Sequence, residues 1–511
     1  MTIASNKQIC REWRDMDSDT RKHITIPLIY ASTPEKLKKR FPKLQSLKLK
    51  GKPRAAKCGI IPENWGGYVS PWIKVIQNYD NCLNSLHFKR MIVSDHDLLI
   101  LAERGGSLFS LVLDDCSGFT TKGLEDICRS CTNLRVLFME ESSVSEKENE
   151  DGKWLHELAL NNKALVTLNF FKTDLFLNES KINIEDLELL AKNCPNLASV
   201  KITDCEILDL KNFFQYASSL EEFCGGFYNK DPENYAAVLP ARLSRLGLVE
   251  IRKDDLPIMF PSLVAQLKML DLRYSTLDME DHCTLIRLCP NLETLKSMDV
   301  IGNKGLIELG QYCTKLKRLR IETENERRED EEARVTQRGL IEISNGCPEL
   351  EYISVNELLQ GCVKLRRFAL YLRSGGLTDK DLEYIGRFGV NLKWILLGYC
   401  GQTDKGLLDF SQGCRSLQKL EIRGCKFFSE VVLGVAAYNL KSLRYLWVQS
   451  YSPSFPPGSG FRFSARPYWF TEMISTSQDE DNNQFLGYYS ILGGPRADIP
   501  HTFCTIVWLG N

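Results

Sequence analysis

The sequence has no long apolar run. In its 511 residues there is no stretch of about 18 apolar residues, the length that a membrane-spanning helix needs. The first residues, MTIASNKQICREWRDMDSDTRKH, are charged throughout and contain no apolar core of a secretory signal. We therefore expect a protein of the cytosol or nucleus, with no membrane partner, whose 18 cysteines are mostly reduced.

An excess of positive charge and a catalytic motif are also missing. The 65 Lys and Arg residues are balanced by 66 Asp and Glu residues, so no global basic field indicates a nucleic-acid partner. The six histidines form no cluster with ligand spacing, and the CRSC motif at Cys128 to Cys131 has no second pair. There is no nucleophile elbow, P-loop or dinucleotide fingerprint. We expect neither a metal site nor an enzyme.

A leucine pattern repeats along the chain. Segments such as CTNLRVLFM, CPNLASVKI and CRSLQKLEI share the form C-x-N-L-x-x-L-x-L, and the opening leucine usually recurs every 23 to 27 residues. The segments between them, such as TTKGLEDICRSC, carry apolar residues at helical spacing. One strand and one helix per unit are typical of a leucine-rich repeat. The opening leucines include Leu83, Leu108, Leu134, Leu165, Leu197, Leu220, Leu243, Leu267, Leu292, Leu316, Leu392, Leu417 and Leu443.

This repeat predicts an α/β fold, a leucine-rich-repeat solenoid shaped as a horseshoe with an inner parallel sheet and outer helices. We expect residues 26–450 to form the solenoid, residues 451–511 to form a C-terminal cap and tail, and residues 1–25 to be a short helical segment. Cysteines recur where the predicted helices end, at a position that suits a small buried hydrophobe. They are Cys131, Cys194, Cys289, Cys313, Cys347, Cys362 and Cys414.

One repeat is too short. In LEYISVNELLQGCVKLRRF the opening leucines Leu350 and Leu365 are only 15 residues apart, so residues 350–365 form a shortened repeat. That length cannot hold a strand and a full helix with turns, and we expect either a hybrid unit or a break in the stack. A solenoid tolerates a neat deletion because each unit contacts mainly its neighbours, but the curvature should change.

Side-chain alternation predicts which residues face the concave side of the sheet. The leucines of L-x-x-L-x-L point into the core, so the residues two, four and six positions after the opening leucine point outward. Residues placed in this way include Ser46, Lys48, Lys50, Arg318, Arg320, Glu322, Arg367, Ala369, Tyr371, Trp394, Leu396, Lys419, Glu421, Arg423, Tyr445 and Trp447.

The predicted concave face collects cations, with exposed aromatic side chains beside them, in a chain that has no net positive charge. Taken singly, each residue fits an ordinary solvated face. Together, cations from several strands favour a small polyanion or a carboxylate, because arginine binds both through two parallel hydrogen bonds. Trp394 and Tyr371 on an open sheet face indicate a ligand or peptide contact.

Other motifs resemble one family. IPENWGGY, DCSGFTT, MEESS, DGKWLHELA, EDHCTLI and ARPYW are similar to segments of the plant coronatine-insensitive jasmonate receptors, and the resemblance runs from about Ala4 to about Leu492. It implies an F-box substrate adaptor of an SCF-type ubiquitin ligase, bound to a Skp-type adaptor and cullin, in the nucleus and cytoplasm. It further implies that jasmonoyl-isoleucine binds the concave face above an inositol polyphosphate. Hormone and receptor together would then bind jasmonate ZIM-domain repressors, which are ubiquitinated and degraded.

The same resemblance implies site residues. It places hormone or degron contacts at Arg54, Ala55, Cys58, Arg320, Tyr371, Trp394, Leu396 and Arg423. It places inositol polyphosphate contacts at Lys48, Lys50, Arg90, Arg318, Arg367, Lys419 and Arg444. Strand spacing alone also places most of these cations on the concave face.

Three departures from the family pattern support an alternative function. Residues 1–25 retain only the tail of the F-box, so adaptor binding is expected to be weak or absent. Lys57 and Cys58 stand where the family has larger apolar residues, and Thr323 stands where it has a basic one. A segment that holds a hormone-contacting arginine is missing after LEYISV, and Asn356 replaces a tyrosine. The alternative is a degenerate member that acts as a non-receptor binding scaffold, unable to dock the ligase or hold the hormone.

Overall fold

The computed structural model describes the chain in segments, and the chain divides into two compact units. The first unit comprises Met1–Gly226 with Ala237–Arg242, and the second comprises Phe227–Ala236 with Leu243–Asn511. The described residues are 11–28, 33–53, 65–79, 82–145, 153–171, 173, 183–202, 205–227, 238–249, 251–253, 263–322, 337–354, 367–371, 378–449, 469–474, 484–490 and 503–509.

The first unit alternates strands with helices. Its main sheet is parallel, and each strand pairs with the next in the order β1, β2, β3, β4, β6, β8, β9, β10. These strands are β1 His23–Pro27, β2 Ser46–Lys50, β3 Ser85–Lys89, β4 Ser110–Asp114, β6 Val136–Phe138, β8 Thr167–Asn169, β9 Ser199–Lys201 and β10 Glu222–Cys224. A separate parallel pair consists of β5 Phe119–Thr120 and β7 Val144–Ser145. The helices are α1 Arg11–Thr20, α2 Glu35–Arg40, α3 Ser70–Ile76, α4 Asp95–Ala102, α5 Thr121–Ser130, α6 Trp154–Asn161, α7 Ile184–Asn193 and α8 Lys211–Tyr216.

The second unit continues the same pattern and then changes strand direction. The parallel strands are β11 Arg245–Gly247, β12 Met269–Asp271, β13 Thr294–Met298, β14 Arg318–Glu322, β15 Tyr352–Ser354, β16 Arg367–Tyr371, β17 Trp394–Gly398, β18 Lys419–Arg423 and β19 Tyr445–Gln449. Their helices are α9 Met279–Leu288, α10 Gly302–Tyr312, α11 Gln337–Gly346, α12 Asp379–Phe388, α13 Asp404–Gly413 and α14 Glu430–Asn439. After β19 the sheet is extended antiparallel by β21 Gln484–Tyr489, then β20 Trp469–Ile474, then β22 Phe503–Leu509.

Burial follows the leucine pattern, which confirms the leucine-rich-repeat fold. Along β2 the residues alternate between half-buried and buried, and both Leu47 and Leu49 have no exposed surface. The same alternation recurs in β3, β4 and β13. Because a strand turns successive side chains to opposite faces, the leucines lie in the core and the residues between them line the other face.

Aspartates connect the start of one helix to the start of the next. Asp95, the first residue of α4, accepts hydrogen bonds from the backbone N–H of Thr120 at 2.7 Å and from its hydroxyl at 2.8 Å. Asp404 at the start of α13 accepts from the backbone N–H of Ser429 at 2.7 Å and from its hydroxyl at 2.5 Å. Thr120 and Ser429 are themselves N-caps of the following helices. These contacts satisfy helix N-termini and fix the spacing between repeats.

The repeated cysteines end helices, as the sequence predicts. Cys289, Cys313 and Cys347 follow α9, α10 and α11 and have no exposed surface, and their neighbours at this position in the other described repeats are buried as well. The Cys347 thiol donates to the carbonyl oxygen of Cys313 at 3.4 Å. Burial raises the pKa of Cys289 to about 12, so these thiols are unreactive packing groups. Cys362 lies outside the described residues.

The shortened repeat leaves the sheet continuous. Strand β15 pairs parallel with β16 through Tyr352 with Arg367 and Ile353 with Phe368. The connecting residues 355–366 lie outside the described segments, and their number is close to the shortest parallel crossover, which needs about a dozen residues. The sheet itself is therefore unbroken at this repeat. Among the described residues, no helix has both the length and the apolar character to cross a bilayer.

Two helical glycines provide a matched test of the packing between helices. A Cβ added to Gly386 in α12 would lie 2.8 Å from both Cα and O of Phe410 in α13, whereas one added to Gly434 in α14 meets nothing within 4 Å. We expect Gly386→Ala to lower the free energy of unfolding by about 1–3 kcal/mol through overpacking. Gly434→Ala should raise it by up to about 1 kcal/mol, because alanine favours helix. Urea unfolding followed by circular dichroism measures both, and equal effects would contradict the close contact.

Candidate ligand-binding face

Strand register in the second unit places the predicted binding residues in three rows. The first row runs through Arg318, Tyr352, Arg367, Trp394 and Lys419, one residue from each successive strand. The third contains Tyr371, Gly398 and Arg423. The second runs in two pieces, with Asp271, Lys296, Arg320 and Ser354 in one and Ala369, Leu396, Glu421 and Trp447 in the other. Neighbouring positions in a row are about 4.8 Å apart.

The first row brings cations and aromatic residues together. Trp394 is half-buried, and its indole Nε1–H donates to Glu421 Oε1 at 3.1 Å. The Lys419 ammonium lies 5.5 Å from the centre of the Tyr445 ring. Arg318 and Arg367 are exposed. An apolar plane with cations on both sides can bind a molecule that has an apolar body and negative groups.

The third row contains a gap. Gly398 has no side chain and lies between Tyr371 and Arg423, so the Cα atoms of these two residues are about 10 Å apart. Leu396, on the same strand and the same face, is half-buried. The middle of this face is therefore shallow and apolar, with Arg423 at one side.

The prediction that Tyr445 and Trp447 are exposed is wrong. Each side chain has only 2% of its surface exposed. In the register of the antiparallel pair they lie opposite Tyr488 and Leu486 of β21, which have no exposed surface. Residues directly opposite in such a pair share one face and pack together, so the C-terminal strands cover this end of the row.

A charge network lies at the other end of the second unit. Arg273 is 2% exposed and donates to both carboxylate oxygens of Asp271, at 2.9 Å and 2.8 Å. Asp271 also accepts from the Lys296 ammonium at 3.0 Å. The network continues to Glu322, whose Oε1 is 3.2 Å from Arg273 Nη1 and 2.5 Å from Arg320 Nη2. Arg320, a predicted hormone contact, is therefore one end of a five-residue chain of alternating charge.

The network shifts the ionisation of its buried members. Burial by itself would raise the pKa of Asp271, but hydrogen bonds from Arg273 and the charge of Lys296 outweigh it and hold that pKa well below its ordinary value. Burial would likewise lower the pKa of Arg273, and the Asp271 carboxylate reverses this and raises it. Asp271 and Arg273 are therefore both charged at neutral pH.

In the first unit the predicted cations Lys48 and Lys50 are accompanied by further charged residues. Register places Lys48 beside His87 and Lys50 beside Lys89. Lys89 forms an ion pair with Asp114, and His87 Nε2 lies 3.4 Å from the same carboxylate. Burial, together with the charge of Lys48, lowers the pKa of His87 although Asp114 opposes the shift. His87 is therefore neutral at pH 7, and the positive charge of this face comes from its lysines.

Arg90 holds the segment that leads to the remaining predicted contacts. It follows β3 with φ of 52°, and its Nε–H donates to the carbonyl oxygen of Lys52 at 2.7 Å. A Cβ on Gly51 would clash with the Arg90 carbonyl oxygen, so only glycine allows the two backbones to approach this closely. Arg54, Ala55 and Cys58, together with Lys57, Thr323 and Asn356, lie outside the described residues.

Arg444 occupies a different position from the other predicted cations. It precedes β19, and its guanidinium lies 4.9 Å from the centre of the Tyr489 ring. Its Nη1 donates to the Leu443 carbonyl oxygen at 2.9 Å. Tyr371 is the last residue of β16.

Sequence reasoning placed Glu322 and Glu421 on this face but missed Asp271, Arg273 and Lys296. Asp271 and Arg273 lie four and six positions after Leu267, and Lys296 lies four after Leu292. The same spacing rule that selected Arg320 would have placed them on the face. The ion pairs that these residues form could be identified only from the register of the strands in the structure. Among the described residues, no group of three or more His, Cys, Asp or Glu side chains is placed to hold a metal ion.

Comparisons with known proteins give one consistent family. A family model described as the transport inhibitor response 1 protein domain matches residues 42–88. The chain is 49% identical over 556 residues to Coronatine-insensitive protein 1 of Arabidopsis thaliana, which covers 97% of this chain and 92% of that protein. Coronatine-insensitive protein homolog 2 of Oryza sativa subsp. indica is 43% identical, with 97% of this chain and 92% of that protein covered. The chain belongs to the coronatine-insensitive family.

A more distant relative and the length of the alignment add to this assignment. GRR1-like protein 1 of Arabidopsis thaliana is 31% identical and covers 98% of this coronatine-insensitive family member. The alignment with Coronatine-insensitive protein 1 spans 556 positions, more than the 511 residues of the chain. The relative therefore has residues in the aligned region that lack a counterpart here. A segment missing at the short repeat is consistent with this difference.

We predict that Asp271→Asn lowers the free energy of unfolding of this coronatine-insensitive family member by about 3–5 kcal/mol at pH 7, because it removes one charge of a buried ion pair. The depressed pKa of Asp271 means that its contribution is fully present above the ordinary carboxyl value, about pH 4, and is lost progressively as the pH falls from there towards the depressed pKa. Urea unfolding at pH 7 and at pH 3 measures the difference.

The matched control is Glu280→Gln. Glu280 also pairs with a lysine, Lys304, but its side chain is 57% exposed. This substitution should cost about 0–1 kcal/mol at either pH. An Asp271→Asn effect as small as that of the control would show that the buried network does not stabilise the fold.

Proposed function

We propose that this protein is a jasmonate co-receptor and the substrate-recognition subunit of an SCF-type ubiquitin ligase, and that it works in the nucleus and cytoplasm. In this function it binds jasmonoyl-isoleucine and recruits jasmonate ZIM-domain repressors for ubiquitin-dependent degradation. Family membership supports this proposal. The observation that carries it is the row of Arg318, Arg367, Trp394 and Lys419 on one sheet face, above which the shallow apolar region around Leu396 lies next to Arg423.

The chemistry of the face suits a small amphipathic acid. A hydrophobic acyl group needs apolar surface, which Leu396, Gly398 and the half-buried Trp394 provide. A carboxylate needs a guanidinium, and Arg320 and Arg423 lie on different rows of the same face. The protein has no part in bond breaking under this proposal, since it acts as an adaptor.

We predict that Arg423→Ala weakens jasmonoyl-isoleucine binding about 30-fold or more, because one partner of a charge-assisted contact is lost. Isothermal titration measures the affinity, and hormone-dependent capture of a ZIM-domain degron peptide measures the complex. Arg415→Ala is the matched control, since Arg415 is exposed and follows α13 on the helix side. If wild type captures no peptide at saturating hormone, the receptor function is wrong.

An inositol polyphosphate is the proposed cofactor of the cationic row. Arg318, Arg367 and Lys419 lie on alternate strands of one row. The family resemblance also assigns polyphosphate contacts to Lys48 and Lys50 of the first unit. Phosphate groups bind such cations through charge-assisted hydrogen bonds.

Inositol hexakisphosphate is a practical probe of this cofactor. Arg367→Ala should weaken its binding about tenfold or more, and the affinity should fall as salt rises. The control is Arg387→Ala, because Arg387 lies on the helix side over the Phe388 ring at 5.5 Å. Equal affinity of both variants in isothermal titration would remove Arg367 from the cofactor site.

A second function is favoured by the short repeat. Direct pairing of β15 with β16 leaves only residues 355–366 where a normal unit has a helix, so the segment in which the family has a hormone-contacting arginine has no room here. A non-receptor scaffold would retain the fold, fail to bind hormone and fail to bind a Skp-type adaptor. Co-purification with a Skp-type adaptor separates the two functions, since strong adaptor binding contradicts the scaffold.

A further inference from the structure

Glu322 forms an ion pair with Arg320, whose guanidinium the proposed function assigns to the ligand carboxylate. Its Oε1 lies 2.5 Å from Arg320 Nη2, and the two side chains are 34% and 35% exposed. A ligand carboxylate that approaches Arg320 therefore meets a negative charge already bound there. Arginine and carboxylate form their strongest contact with two parallel hydrogen bonds, and Glu322 competes for these donors.

Arg273 prevents Glu322 from neutralising Arg320 completely. Arg273 Nη1 lies 3.2 Å from the same Glu322 oxygen that contacts Arg320. Because Arg273 is already paired with Asp271 through two hydrogen bonds, it is fixed in place and shares Glu322 with Arg320. The network holds three cations, Arg273, Lys296 and Arg320, against the two carboxylates of Asp271 and Glu322. One positive charge therefore remains at this end of the face.

We propose that Glu322 is an internal competitor for Arg320 and determines how tightly and how selectively this face binds a carboxylate ligand. This inference rests on the proposed function, in which Arg320 binds the hormone carboxylate. A simple carboxylate has only its charge with which to compete against Glu322. A ligand that also contacts the apolar region around Leu396 gains further binding, so Glu322 makes affinity depend on the apolar body of the ligand. Glu322 thus excludes small metabolic acids.

Glu322→Gln tests the competition, because glutamine keeps the size of the side chain and removes its charge. Jasmonoyl-isoleucine should bind this variant about three- to tenfold more tightly than wild type, since a like charge near the ligand is removed. The methyl ester of the same compound, which has no carboxylate, should bind both proteins equally. Acetate should protect the variant against thermal unfolding at a lower concentration than wild type.

Glu293→Gln is the matched control. Glu293 is 35% exposed and pairs with Lys317 at 2.8 Å instead of with Arg320, so it removes the same charge at the same exposure. Its hormone affinity should equal that of wild type. If Glu322→Gln weakens hormone binding or leaves it unchanged, Glu322 positions Arg320 or is irrelevant to it, and the inference is overturned.

A second measurement requires no hormone. Phenylglyoxal modifies accessible arginines, and mass spectrometry of the peptides gives the rate at Arg320 relative to the exposed Arg318. Glu322→Gln should raise this ratio several-fold, and an unchanged ratio overturns the inference. If no protein binds hormone while the ratio still rises, the proposed function fails and the contact between Glu322 and Arg320 stands.

Discussion

The hydrogen-bond register between parallel strands is the constraint on which the rest of the structure depends. The repeat strands bury apolar residues such as Leu319 and Leu420, and a slip of one residue would turn them to solvent and bury the charged residues between them. The core therefore fixes which residues face outward. Arg318, Arg367 and Lys419 come from strands far apart in sequence, yet they lie in one row because these strands pair in register.

The short repeat shows how strongly this register is enforced. Only residues 355–366 separate β15 from β16, yet Tyr352 pairs with Arg367 in the same relation that links Arg367 to Trp394. On the helix side, α11 packs against α10 and α12 packs against α13. The sheet thus accepts a shortened connection while the register between its strands continues. As a consequence Arg367 comes within two strands of Arg318, about 10 Å away, which concentrates cations in this part of the row.

Much of the fold could be predicted from the sequence, because its repeat is local. Leucine spacing gave the strands, and the cysteines at the ends of the helices gave a second set of positions in phase with them. The burial of Tyr445 and Trp447 could not be predicted in this way. It depends on β21, whose residues Leu486 and Tyr488 lie opposite them and whose sequence, QFLGYY, lacks the repeat pattern. Pairing between strands with different patterns leaves no periodic signal in the chain.

Residue types alone predicted the electrostatics of this face less well than they predicted the fold. Counting cations at outward positions suggested a basic surface, but that count left out other outward lysines, which form ion pairs across strands. Lys89 pairs with Asp114, Lys201 with Glu222 at 3.0 Å, and Lys296 with Asp271. In each pair a lysine on one strand forms an ion pair with a carboxylate on an adjacent strand. The charge of the lysine is therefore neutralised within the sheet. An unlike pair on neighbouring strands contributes little long-range field, so the field available to a ligand comes from the charges that these pairs leave uncompensated. At Arg320 the uncompensated positive charge depends on how the Glu322 carboxylate is shared between the guanidinium groups of Arg273 and Arg320.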